Sequence, residues 1–175
     1  MFEWMSGSNV LRFHQLPMLG RQQNVAEHSY RMALLGFSVY GPEVMASLVW
    51  PCLFHDLPEG SIGDIPAQTK WALPAETHLA LSRMELAWHE EAGTAEHAYP
   101  HNEEDYRRLK FLDTAELLLT AVEQCWLGNV PYAQVFRRGF QYMTTRDLAK
   151  SAEEMALLSV MTEAVKGMGM MNDDS

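Results

Sequence analysis

Apolar residues recur along this chain at helical spacing almost from end to end. In residues 25–40 they fall at Val25, Met32, Leu35 and Val39, with Asn24 placed to cap the segment and Gly41-Pro42 to stop it. Residues 43–56 are apolar on nearly every face, which predicts a central buried helix kinked at Pro51. Pro58 disfavours helical backbone at Leu57, so the chain is expected to turn there. Residues 76–91 space Leu81, Met84 and Trp88 along one helix face. A long helix is predicted over 103–127, ending at Gly128, and another over 131–146 with Pro131 in its first turn. The last amphipathic segment runs over 148–165, with Asp147 as its N-cap. No alternating run of β-branched residues and no Asn-Gly hairpin signal interrupts the pattern. An all-α fold follows, with one helical domain over residues 1–167 and a flexible tail over 168–175.

Composition narrows what such a bundle does. Hydrophobic residues make up 47% of the 175 positions, enough for a full-sized core. Thirteen basic residues face 23 acidic ones, a formal net charge of −10 that repels phosphate backbones. No nucleic-acid polymer and no membrane surface is therefore expected as a partner. No stretch reaches the ~18 uninterrupted apolar residues of a membrane span, and the N-terminal Met1-Phe-Glu-Trp-Met carries Glu3 rather than a basic, then apolar, signal pattern. Cys52 and Cys125 lie in apolar stretches without metal spacing, which points to a reducing, cytoplasmic setting.

Candidate chemistry begins with His28 and the pair His55-Asp56, each placed in an apolar helical segment where an unpaired polar group is costly. Singly, His28 reads as a core histidine bonded to a carbonyl, and His55-Asp56 as a polar helix terminus. Asp113, flanked by Phe111, Leu112 and Ala115, reads as an inward-facing carboxylate that a neighbouring helix could equally satisfy. Together, two imidazoles and two carboxylates suit one divalent ion and leave positions open for water and substrate. Zn, Co, Mn or Mg are all compatible with that donor set.

Three stretches in order, Asn24-Val-Ala-Glu-His28-Ser, His55-Asp-Leu-Pro-Glu59-Gly-Ser-Ile-Gly-Asp64-Ile-Pro and Lys110-Phe-Leu-Asp113, resemble the HD-domain metal-dependent phosphohydrolases. The resemblance runs from about residue 12 to 113 and is nearest the branch of 5′-deoxynucleotidases and phage dATP triphosphohydrolases. It implies a single HD-domain helical bundle with His28, His55, Asp56 and Asp113 as metal ligands. It further implies proton transfer or water orientation at Glu59 and a ribose or supporting contact at Asp64, which could also cap a helix starting at Ile65-Pro66. A lysine at position 70 would reach substrate phosphate, and Arg12 would make bidentate phosphate contacts beside an aromatic face at Phe13. Phe13 departs from the tryptophan common there.

Two of only four lysines, Lys70 and Lys110, thus join Arg12 around one site. Lys110 precedes Asp113 by three residues and shares its helix face. Three cations beside a metal favour a triphosphate over a monophosphate, and further Mg could arrive with the phosphates. The resemblance implies a small deoxynucleotide as partner, dATP favoured, and a homo-oligomer, dimer or hexamer. For a protein of phage origin the setting would be the host-cell cytoplasm. His89 opens no His-Glu-x-x-His motif, and His97 and His101 have i,i+4 spacing but Pro100 between them opposes a helix that would align both rings, so the stretch reads as an exposed inter-helix loop. Tyr30, Trp71 and Trp126 read as packing residues.

Overall fold

The computed structural model describes residues 2–170. Among them the periodicity resolves into nine helices: α1 (Phe2–Ser8), α2 (Val25–Phe54), α3 (Glu59–Ile62), α4 (Ala67–Ala72), α5 (Ala75–Ala92), α6 (Ala95–Ala98), α7 (Glu103–Trp126), α8 (Pro131–Thr145) and α9 (Ala152–Gly167). No strand forms among the described residues. A lone antiparallel bridge between Leu11 and Asn24 ties the loop after α1 to the start of α2.

Asn24 caps α2 as its sequence position predicts, its side-chain oxygen accepting the Glu27 N–H at 2.9 Å. The break in α2 falls at Gly41, with φ 75° and ψ 173°, a conformation open to glycine at little steric cost. Helix resumes at Pro42, and Pro51 continues it without the expected break in the backbone angles. The stretch Val25–Ile62 holds an 18-residue window of mean hydropathy 1.4, long and apolar enough to cross a bilayer by composition. Its inner face packs on α7 and α6. Residues 43–56 bury one face through Met45, Leu48 and Cys52, while Trp50 stands half-exposed, so this helix is not buried all round.

α7 is the structural axis. It packs on α2, α8 and α9 and buries Leu109, Leu112 and Leu118 against Met32, Met45 and Phe136. Each such side chain contributes about 1.5–3 kcal/mol on burial. α9 begins later than the sequence pattern implied. Ser151, not Asp147, is its N-cap, and forms a reciprocal capping box with Glu154. Asp147 instead takes φ 50° in the turn that closes α8. After α9, Met168 and Met170 rest on the core, and residues 171–175 of the expected tail lie outside the described residues.

The packing expected of two aromatic residues is not found. Tyr30 is 61% exposed and Trp126 69%, because both lie on helix faces turned from the core. The side chain of Trp71 lies outside the described residues. On α5, Met84 also faces solvent, and the helix buries a single residue, His89. At the other end, α1 meets α3 through backbone contact. A Cβ on Gly7 would sit 2.3 Å from the Leu57 carbonyl oxygen, and one on Gly60 would sit 2.7 Å from the Gly7 nitrogen. This close approach fixes the turn that carries Asp56 and Glu59.

Candidate metal centre

His28 lies one turn into α2, fully buried. Its Nδ1 is 2.6 Å from Glu116 Oε2 on α7, so the carboxylate accepts the Nδ1 proton and Nε2 is left to face the site. His55 ends the same helix, its Nδ1 donating to the Pro51 carbonyl at 3.1 Å. Asp56 places Oδ1 3.3 Å from His55 Nε2 and Oδ2 3.6 Å from His28 Nε2. The ligand atoms of His28, His55 and Asp56 all lie within 4.8 Å of one another. Asp113 joins through His28, its Oδ1 3.3 Å from the same Nε2.

Both Nε2 atoms are buried and have no hydrogen-bond partner. Such orphans are rare and costly in native interiors. Two of them, turned towards two carboxylates, fit a divalent cation that accepts both lone pairs. The residues present therefore suit the metal that the sequence motif implies.

Charge is strongly organised here. Burial and Arg12 oppose a proton on His28, yet the nearby Asp113 carboxylate and the bond to Glu116 raise its pKa to about 9. Burial also opposes charge on Asp56, but His55, Arg12 and His28 hold it down at about 2. Asp113 is held well below the usual carboxylate range against burial, by His28 and Lys110. Burial instead dominates at His55 and lowers its pKa. Glu59 is the opposite case. Burial, then the charges of Asp56 and Asp64, push its carboxyl up to about 9 despite Arg12 and Lys70. A buried carboxyl tuned away from its ordinary value beside a metal site has the character of a proton-transfer group.

The remaining candidates fall around these ligands. Glu59 starts α3, with Oε2 buried and unpartnered and Oε1 3.9 Å from Lys70 Nζ on α4. Lys70 and Lys110 line a cleft of about 100 Å³ with His55, Asp56, Glu85, Tyr99 and Tyr106. Arg12 enters from the loop before α2 and donates to Asp56 Oδ2 at 3.0 Å. Phe13 next to it adopts φ 57°, a strained value for a bulky residue. Its ring packs on Tyr132 with centroids 5.7 Å apart, and the Arg12 guanidinium lies 5.9 Å from it. Asp64 lies 3.5 Å from His14 Nδ1 and does not cap α4, where Pro66 holds the N-cap without a side-chain bond. A larger cavity, about 450 Å³, shares none of these residues, and its cations Arg107, Arg108 and Lys150 are each paired with acids.

Sequence reasoning missed two members of this neighbourhood. Glu116 follows Asp113 by three residues on one helix face, a spacing that could have flagged it. His89 was expected in an exposed stretch but is fully buried, with Nδ1 2.8 Å from Thr94 Oγ1 and its ring edge-on to Tyr99 at 5.4 Å. The His55 main chain lies beside that ring.

Comparison with known proteins agrees with the motif. The HD-domain family model matches residues 9–156. No curated protein sequence matches the chain. Among solved structures, the HD phosphohydrolase DatZ of cyanophage S-2L, bound to dA and one catalytic Zn²⁺ ion, aligns with a TM-score of 0.66. The alignment covers 98% of this chain and 97% of that one at 21% identity, a likeness of fold. With the family model spanning most of its length, and with His28, His55 and Asp56 of the motif gathered at one site, this chain belongs to the HD-domain family.

Proposed function

We propose that the protein is a metal-dependent phosphohydrolase that cleaves a deoxynucleoside triphosphate, dATP favoured, into deoxynucleoside and triphosphate. The observation that carries this reading is the gathering of Arg12, Lys70 and Lys110, in a chain of net charge −10, around His28, His55, Asp56 and Asp113. A divalent ion held by those four residues would supply Lewis acidity towards a phosphoryl oxygen and towards water at neutral pH. Lys70 and Lys110 would neutralise the phosphate chain, and Arg12 would bridge it to Asp56. Glu59 would orient the attacking water or shuttle protons between it and the leaving oxygen. Base choice rests on the likeness to DatZ, whose structure holds dA.

A second reading is 5′-deoxynucleotidase activity on monophosphates. The cleft of about 100 Å³ favours it, being smaller than the roughly 300 Å³ at which small-molecule pockets begin. For a triphosphate to enter, α4 and α5 must move outward. Incubation with each dNTP, dNMP and NTP, with Zn, Co, Mn or Mg supplied, separates the readings. Triphosphate among the products supports the first. Orthophosphate from dNMPs alone supports the second, and binding without turnover of any nucleotide overturns both in favour of a nucleotide sensor.

A further inference from the structure

Glu116 is completely buried, yet it is not one of the ligands that the motif supplies. Four donors converge on its two oxygens. His28 Nδ1 reaches Oε2 at 2.6 Å, while Gln23 Nε2, Thr120 Oγ1 and Arg31 Nε reach Oε1 at 2.8, 3.0 and 2.9 Å. Glutamine would fill the same volume but accept on one oxygen only, setting an NH2 donor against either His28 Nδ1 or the three donors on the other side. A carboxylate accepts on both sides at once and places a negative charge directly behind the imidazole.

His55 provides the internal contrast. Its Nδ1 is backed by a neutral amide oxygen, that of Pro51. The two imidazoles of the site are thus held in the same tautomer by acceptors of different charge. An imidazole whose N–H meets a carboxylate is both fixed in orientation and a stronger electron donor at its other nitrogen.

We propose that Glu116 is a positioning residue that locks the His28 tautomer and strengthens His28 Nε2 as a ligand for a divalent cation, making His28 the stronger of the two imidazole anchors. The inference rests on the metal-dependent reading of the site but not on any particular substrate. Gln23, Thr120 and Arg31 hold Glu116 in place, and Arg31 continues to Glu123 at 2.6 Å on the surface of α7.

The test reads metal affinity directly. Metal-free full-length protein is titrated with Zn²⁺ or Co²⁺ against a chromophoric chelator, alongside Glu116→Gln and, as a control, Thr120→Val. The expected result is affinity weakened about 10–100-fold in Glu116→Gln, with a shifted Co²⁺ absorption band and no comparable loss in Thr120→Val. Wild-type affinity in a folded Glu116→Gln overturns the proposal. So does equal weakening in both variants, because it would mark a packing effect. Should Glu116→Gln not fold, Glu116→Asp keeps the charge but withdraws it from His28, and unchanged affinity there overturns the proposal equally. Absence of stoichiometric metal on the wild type overturns the metal reading itself and this inference with it.

Discussion

The candidate metal site has two unlike sides. One is the wall of α2 and α7, which carries His28, Asp113 and Lys110 on helices of 30 and 24 residues. Its inward positions continue into the core through Leu109, Leu112 and Met32. The other is the cover of α3 to α6, where Glu59 and Lys70 sit on helices of four and six residues. Behind that cover α5 spans 18 residues yet buries only His89. The candidate ligands His28 and Asp113 sit where packing is dense, whereas Glu59 and Lys70 sit on short elements where opening is cheap. The division also accounts for a cleft too tight for a whole nucleotide, because only the cover has to move.

The largest effect should come from the wall at the metal itself. Asp113→Ala removes the one ligand supplied by α7 and is expected to take turnover to background while melting stays near wild type. Full activity in that variant would remove Asp113 from the ligand set. Next comes the far side of the same packed half. Glu154, fully buried, accepts bonds from Tyr40, Arg107 and the Lys150 and Ser151 N–H groups. Glu154→Gln leaves Arg107 short of its partner and should cost about 3 kcal/mol, or roughly 6–12 °C in Tm at this chain length. Burial opposes charge on Glu154, but its bonds from Ser151, Tyr40 and Lys150 prevail and lower its pKa below the ordinary 4.5. A depressed folded pKa gives stability that is fully present above the unfolded value and is lost as pH falls through the folded one. Wild type and Glu154→Gln should therefore differ in Tm at neutral pH and draw together as pH falls below the ordinary 4.5. Parallel curves down to acid would show that the carboxylate's charge is not what matters.

The same division decides what could be read in advance. On the wall, helical periodicity and motif point the same way, so α2, α7, the Asn24 cap and the gathering of His28, His55 and Asp56 could be named in advance. On the cover, short elements are set by turns and close contacts. Nothing in the apolar spacing of 76–91 tells that Met84 faces solvent and His89 does not, since the helix has little to pack against. Glu116 was hidden for another reason. A carboxylate in a helix reads as surface until a buried imidazole opposite supplies its partner. Phe13 could be named as an aromatic near the site, but its positive φ and its contact with Tyr132 depend on a loop that local sequence does not determine.

Smaller effects should separate the two sides more finely. Lys70→Met, on the cover, removes a charge-assisted phosphate contact worth about 1.5–3 kcal/mol. It should raise KM at least tenfold while leaving Tm and metal affinity alone. Lys110→Met, on the wall, should alter metal affinity too, because the Lys110 charge acts directly on the Asp113 carboxylate and on any cation beside it. If both variants altered KM alone, the two sides would not differ in this respect.

The mildest expectation concerns motion and needs no variant. Amide protection reports the free energy of local opening, and a helix with one buried residue opens more readily than one whose inner face is core. In metal-free protein the α5 amides should exchange faster than those of α7 between Leu109 and Leu118, by tenfold or more. His89 is the one buried contact that binds α5 to the floor of the site, next to the His55 main chain. A non-hydrolysed nucleotide that draws the cover inward should slow exchange in α5 and leave α7 as it was. Equal protection in the two helices before ligand is added would mean that the cover is as rigid as the wall. Admission of a triphosphate would then have to come from the Arg12–Phe13 loop, the other element that reaches the candidate ligands.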